Sequence, residues 1–185
     1  MEEKNIVLVD VFDNKIGMGT KREVHRTGQL HRAFSVFLYH DDRMLIQKRA
    51  MHKYHSGGLW SNTCCSHPPD DADIDGFIQQ RMYEELKINC PIEEIFQFTY
   101  FHNFCSGLFE YEYDHVFIGE YKGGFELNPE EAEDARWIGF DELASLLEGQ
   151  PQLFSVWCLI AMPKVMTVVN GRRRGRLLNV FGENL

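Results

Sequence analysis

The sequence predicts an α/β or α+β sandwich, a mixed β-sheet flanked by helices, on three observations. Segments rich in β-branched and aromatic residues recur at Ile6–Phe12, Ala33–Tyr39 and Leu108–Tyr121. An amphipathic stretch stands between them, with Ile74, Phe77, Ile78 and Met82 returning at helical spacing. The chain then turns helical in pattern from Phe154 to Val169. At 185 residues it is long enough to bury about 70% of its unfolded surface. No Pro/Gly/Ser-rich linker, repeat or low-complexity tract divides it, so one domain over residues 1–185 is expected.

The first strand, Ile6–Phe12, closes on the turn pair Asp13-Asn14 and opens a hairpin. After a polar stretch from Lys21 to His31, Ala33–Tyr39 and Met44–Arg49 flank Asp41-Asp42 as a second hairpin. Ala50–Leu59, with Gly57-Gly58, reads as a loop. Trp60-Ser61-Asn62-Thr63-Cys64-Cys65-Ser66-His67-Pro68-Pro69 follows, packing a thiol pair and an imidazole into ten residues. Asp70, Asp71 and Asp73 supply helix-start chemistry for a helix from Asp73 to Lys87, which Cys90-Pro91 prevents from continuing. Strands are expected at Ile95–His102 and Leu108–Tyr121, and shorter ones at Phe125–Leu127 and Arg136–Phe140. Helices over Asp141–Leu147 and Phe154–Val169 complete the pattern, which leaves strand order open.

Five cysteines, Cys64, Cys65, Cys90, Cys105 and Cys158, make an odd count in a chain whose Met1-Glu2-Glu3-Lys4 start lacks the order of a signal peptide. A reduced, cytoplasmic setting with free thiols is therefore expected. The net charge of −9 opposes nucleic-acid binding, although Arg172-Arg173-Arg174 and Arg176 form a basic cluster, read as a solvated helix end. Apolar runs such as Val156–Met162 are too short to span a membrane. Monomer and homodimer both stay open.

Alternation in Leu108–Asp114 puts Glu110, Glu112 and Asp114 on one strand face and the tyrosines on the other. Such a face is either an exposed acidic surface or a set of carboxylates converging on a cation. His25, His31 and His67 could add three imidazoles, a mixture suited to Mn, Zn or Fe rather than Ca. A cysteine zinc site fits poorly, because Cys64-Cys65 lacks CxxC spacing and a second pair. Arg81 and Glu85 share a helix face, as a surface ion pair or as parts of a diphosphate–Mg²⁺ site to which Lys21, Arg49 and Lys53 add charge. Arg N-terminal to Glu is the weaker orientation, and Glu84-Glu85 oppose the helix dipole, which favours the functional alternative.

Asn62-Thr63-Cys64-Cys65-Ser66-His67-Pro68, Tyr83-Glu84-Glu85-Leu86 and Glu110-Tyr111-Glu112 resemble type 1 isopentenyl diphosphate isomerase, a branch of the Nudix superfamily, over Lys21 to Trp157. The Nudix hydrolase box is degraded here. Ser66, Ala72, Gln80, Arg81 and Lys87 stand where the box has Gly, Glu, Arg, Glu and Gly, while Glu84, Glu85 and Ile88 match. Loss of a carboxylate to Arg81 favours an isomerase over the alternative, a Nudix pyrophosphohydrolase acting on a nucleotide or prenyl diphosphate.

The resemblance implies a Nudix-like sandwich and an isomerase of isoprenoid precursor biosynthesis that interconverts isopentenyl and dimethylallyl diphosphate. It implies Cys65 and Glu112 as proton-transfer groups with Tyr100 beside them, and His25, His31, His67, Glu110 and Glu112 as ligands of one Mn²⁺ or Zn²⁺. Mg²⁺ would bridge the substrate diphosphate to Glu85 and the Cys65 carbonyl; Lys21, Arg49, Lys53 and Arg81 would grip the diphosphate, and Trp157 would cover the hydrocarbon.

Overall fold

In the computed structural model, which describes residues 5–70, 73–104 and 107–182, the chain opens with β1 (Asn5–Val9), β2 (Lys15–Thr20) and α1 (Lys21–Thr27). The hairpin β3 (His31–His40) and β4 (Arg43–Arg49) leads through short strands β5 (Trp60–Ser61) and β6 (Cys64–Ser66) into α2 (Ile74–Leu86). Then come β7 (Glu93–Phe104), β8 (Leu108–Glu120), β9 (Ala132–Gly139), α3 (Phe140–Gly149) and α4 (Val156–Gly182). Of the residues on which sequence expectations fell, Met1, Glu2, Glu3, Lys4, Asp71, Ala72, Cys105 and Ser106 lie outside the described ones.

β3 organises the sheet. It runs parallel to β8 from His31↔Glu112 to Tyr39↔Glu120 and antiparallel to β6 from Phe34↔Ser66 to Val36↔Cys64. At its ends it meets β1 and β4, and β4 carries β5 and β9. β7 closes the other side by pairing with β8, including Tyr100↔Glu112. Antiparallel and parallel pairs in one sheet, with helices on both faces, give the α+β sandwich expected from the pattern.

Alternation along β3 splits the core in two. Phe34, Val36 and Leu38 pack with Ile78, Met82 and Leu86 of α2, and Cys64 joins them. Phe37 and Tyr39 pack on the opposite face with Trp157, Cys158, Ala161, Met162 and Val165 of α4. Cys64 and Cys65 are adjacent on β6, so one thiol enters the α2 core and the other turns to the α4 face. The same rule places Glu110, Glu112 and Asp114 on the α4 face of β8, where Val116 and Ile118 continue the row.

Three expectations need correction, and the polar stretch before β3 gains a helix. Phe125–Leu127 is no strand: this segment stays outside the sheet because its backbone serves the open end of α2. Glu126 N–H donates to Leu86 O and Asn128 N–H to Glu85 O, each at 2.9 Å, satisfying last-turn carbonyls that a helix leaves bare. The strand expected at Arg136–Phe140 begins instead at Ala132, and Phe140 opens α3. The polar stretch Lys21–His31 contains α1, whose Thr20 side chain caps Glu23 N–H at 3.3 Å and whose end is Gly28 at φ 67°. Thr20-x-x-Glu23 is a capping-box spacing and could have revealed it. Finally, the arginine cluster is not a helix end: α4 continues to Gly182, and Arg172 pairs with Glu93.

Candidate active site

One cavity of about 690 Å³ takes its lining from both faces of the sheet and gathers most of the predicted residues. Lys21, Arg49, Lys53, Cys65, His67, Arg81, Glu85, Glu110, Glu112 and Trp157 line it. His25, His31 and Tyr100 reach the same carboxylates from the surrounding structure. Residues from α1, β3, β4, β6, α2, β7, β8 and α4 therefore meet because the sheet brings distant strands side by side.

The acidic face is not an exposed surface: Glu110, Glu112 and Asp114 are 1%, 7% and 0% exposed. Buried carboxylates need partners, and beside Glu110 and Glu112 these are imidazoles. His25 Nε2 lies 3.0 Å from Glu110 Oε1, while His67 Nε2 and His31 Nε2 lie 3.0 and 3.7 Å from Glu112 Oε1. Tyr100 Oη reaches both carboxylates, at 3.0 Å from Glu110 Oε2 and 2.7 Å from Glu112 Oε2. Asp114 accepts from the Ser35 hydroxyl at 2.8 Å.

Burial raises the Glu112 carboxyl above its usual range, and the neighbouring Glu110 charge adds to the effect. For Glu110, the facing imidazoles of His25 and His55 outweigh burial and hold it well below the usual range. One carboxylate of the pair thus stays charged while the other readily carries a proton. Burial drives His67 well below its usual value, assisted by Lys21, so this imidazole is neutral.

The donor set fits a divalent cation. His25 Nδ1 faces Lys21 O at 2.5 Å and His31 Nδ1 faces Gln29 O at 2.8 Å. A carbonyl can only accept, so Nδ1 carries the proton on each ring and leaves an Nε2 lone pair turned toward the carboxylates. Both Nε2 atoms and Glu110 Oε1 are buried without a hydrogen-bond partner of proper geometry. The ligating atoms of His25, His31, His67 and Glu112 all lie within 4.8 Å of one another. Imidazoles with carboxylates match a borderline ion such as Mn²⁺ or Zn²⁺.

On the opposite wall, Arg81 is not a surface residue. Its side chain is 12% exposed and pairs with Glu85 at 2.6 Å, Glu84 at 2.5 Å and Glu131 at 3.1 Å. Glu85 also accepts from Gln47 Nε2 at 3.1 Å, and burial raises its pKa despite Arg81. Arg49 Nη1 lies 3.8 Å from Cys65 Sγ, and its guanidinium sits over Trp157 at 5.2 Å. Burial pushes the Cys65 thiol up to about 12 although Arg49 opposes it, so the sulfur holds its proton.

Asn62 pins the wall that carries Cys65. It accepts from Trp157 Nε1 and Ser61 Oγ, each at 2.9 Å, and donates to Cys64 O at 2.7 Å and Val36 O at 3.1 Å. Two further residues escaped the sequence reading. His55 Nε2 lies 2.9 Å from Glu110 Oε1, and the ring stacks on His25 at 5.7 Å. Its loop folds tightly, for a Cβ at Gly57 would meet Met51 O at 2.3 Å, and that close approach is what the Gly57-Gly58 pair signalled. Glu131, which pairs with Lys53 and Arg81, gave no signal, because Glu130-Glu131-Ala132-Glu133-Asp134 resembles any solvated acidic run.

Residues 29–157 match the NUDIX domain. Among curated proteins, the chain is 42% identical to Isopentenyl-diphosphate Delta-isomerase 2 of Aromatoleum aromaticum, over 89% of this chain and 88% of that protein. It is 38% identical to Isopentenyl-diphosphate Delta-isomerase of Serratia proteamaculans, over 86% and 90%. Among solved structures, the fold is shared with DR0079 from Deinococcus radiodurans at a TM-score of 0.66 and 13% identity, over 80% and 90% of the two chains. A MutT protein from Methanosarcina mazei matches at 0.59 and 13%, over 76% and 95%.

Proposed function

We infer the reaction from the premise that the chain belongs to the NUDIX family and, within it, to the isopentenyl-diphosphate Delta-isomerases. It is an isomerase that interconverts isopentenyl and dimethylallyl diphosphate, the small prenyl diphosphates of isoprenoid synthesis. We read residues 1–185 as one catalytic domain and place it in the cytoplasm, where free thiols such as Cys64, Cys65, Cys90 and Cys158 persist. No described helix is long and apolar enough to cross a membrane.

The reaction forms a C–H bond at the terminal methylene carbon and breaks one at the allylic carbon, through a tertiary carbocation-like state. It needs one group to give a proton and another to take one. The observation that carries our assignment is that Cys65 and Glu112 line the same cavity from one face of the sheet, flanking β3. A thiol that holds its proton suits the donor, and a carboxylate of raised proton affinity suits the acceptor. Roles exchange in the reverse direction. Tyr100 would fix the acceptor oxygen through its hydrogen bond to Glu112. Trp157 would offer its ring to the cation, a contact worth about 2 kcal/mol when dry.

His25, His31, His67, Glu110 and Glu112 would hold one Mn²⁺ or Zn²⁺, and Glu85 with the Cys65 carbonyl would hold Mg²⁺ on the substrate diphosphate. When bound, the first ion would supply positive charge beside Glu112 and the second would neutralise the diphosphate. Lys21, Arg49, Lys53 and Arg81 line the same cavity and would bind the diphosphate oxygens. The product assay decides between isomerase and hydrolase: with isopentenyl diphosphate and Mg²⁺, dimethylallyl diphosphate without released phosphate is expected. Phosphate as the main product overturns the reading.

A further inference from the structure

The cations that line the phosphate end of the cavity do not stand alone. Lys53 comes from the loop after β4 and Arg81 from the middle of α2, and one carboxylate, Glu131, touches both. Its Oε2 accepts from Lys53 Nζ and its Oε1 from Arg81 Nη2, the latter at 3.1 Å. The backbone of Glu131 joins the same two elements. Its carbonyl accepts from Ala50 N–H at 3.0 Å, and its N–H donates to Asn128 O at 2.9 Å. Asn128 in turn donates to α2, from N–H to Glu85 O and from Nδ2 to Glu84 O. Glu131 therefore sits on a strap that runs from the C-terminal end of α2 to the start of the 50–59 loop.

We propose that Glu131 is a positioning residue for the diphosphate, holding Lys53 and Arg81 at a fixed spacing before substrate arrives. The proposal rests on the reading that these two cations bind diphosphate. Lys53 is the residue most in need of such help, since a lysine carries a point charge on a flexible stem with three rotatable donors. Two cations brought together without an anion between them would repel one another; the carboxylate removes that penalty in the free protein. Held in place, each cation loses less side-chain freedom when the diphosphate binds, which is the general advantage of preorganisation. Burial alone would raise the Glu131 carboxyl, but Lys53 and Arg81 outweigh it and keep it charged.

Calorimetric titration of the full chain with Mg²⁺ and inorganic diphosphate, paired with steady-state kinetics, tests this. Glu131→Gln should weaken diphosphate binding and raise KM about tenfold while leaving kcat within about twofold, as expected for lost preorganisation. Glu131→Asp, which keeps the charge and shortens the reach, should fall between. In a Lys53→Met background the same Glu131→Gln change should cost no more than about threefold, because one of its two partners is already gone. Unchanged or tighter diphosphate binding in Glu131→Gln overturns the proposal and makes Glu131 a competitor of substrate. A fall in kcat at constant KM also overturns it. If the parent chain binds no diphosphate, the reading of the cation wall fails together with the inference; if the parent binds and Glu131→Gln binds equally, only the inference fails.

Discussion

The Tyr100 hydroxyl lies 2.7 Å from Glu112 Oε2 and 3.0 Å from Glu110 Oε2, so a single phenolic proton is shared between two buried carboxylates. The cross-strand pair Tyr100↔Glu112 puts it there. The phenol itself is raised well above its usual pKa, by burial and then by Glu112, so it remains a donor. Tyr100→Phe keeps the shape and removes only the hydroxyl. We expect kcat to fall about 10²-fold, in the range of a disturbed proton-transfer group, with diphosphate binding nearly unchanged. Equal loss in KM and none in kcat would place Tyr100 with substrate binding instead.

The two adjacent cysteines should separate cleanly. Cys65→Ala is expected to abolish isomerisation at little cost in stability, because its side chain faces the cavity. Cys64 is fully buried against α2, so Cys64→Ala should lower stability by about 1–2 kcal/mol and keep most turnover. With Cys65 pushed up to about 12, native Cys65 should alkylate much more slowly at pH 8 than an exposed thiol. Fast alkylation of Cys65 in the folded chain speaks against a protonated donor.

Metal content tests the division of ligands between the two proposed ion sites. His67→Ala should strip the tightly held ion in the absence of substrate, since it removes one of four ligating groups within 4.8 Å of one another. Glu85→Gln should leave that ion in place and abolish only the Mg²⁺ that accompanies a non-reactive diphosphate. Elemental analysis of both variants, with and without diphosphate, reads the outcome. Loss of the tight ion from Glu85→Gln and its retention in His67→Ala would show the ligands to be wrongly divided.

Acid stability reports on Glu131. Lys53 and Arg81 hold its folded pKa below the unfolded value, so its contribution to stability is present above the unfolded pKa of about 4.3 and is lost as pH falls through the folded one. Glu131→Gln should therefore melt below the parent at pH 7, and the gap should narrow as pH drops toward 3. A gap that stays constant or widens with acid shows that the ion pairs contribute nothing.

How much of this was legible beforehand depended on whether the signal was local. Period-two alternation at Glu110, Glu112 and Asp114 was local, and the face it predicted is the face observed. Its burial was not readable from the strand, because it comes from His25, His31 and Tyr100 on three other elements. Arg81 and Glu85 were paired by helical spacing, yet the sequence could not show that Glu131 joins them from a segment 50 residues away from Arg81. That same segment, at Phe125–Leu127, has strand-forming residues but spends its backbone donors on the end of α2. His55 was hidden for another reason: only the fold of its loop brings it to Glu110.

The central claim is that Cys65 and Glu112 move the protons. Turnover of isopentenyl diphosphate with Mg²⁺ in D₂O, followed by NMR, tests it most directly. The parent chain should yield dimethylallyl diphosphate with deuterium in the new methyl group. Cys65→Ala and Glu112→Gln should incorporate none, with Cys65→Ala still binding diphosphate. Deuterium appearing at parental rate in Cys65→Ala would contradict the account.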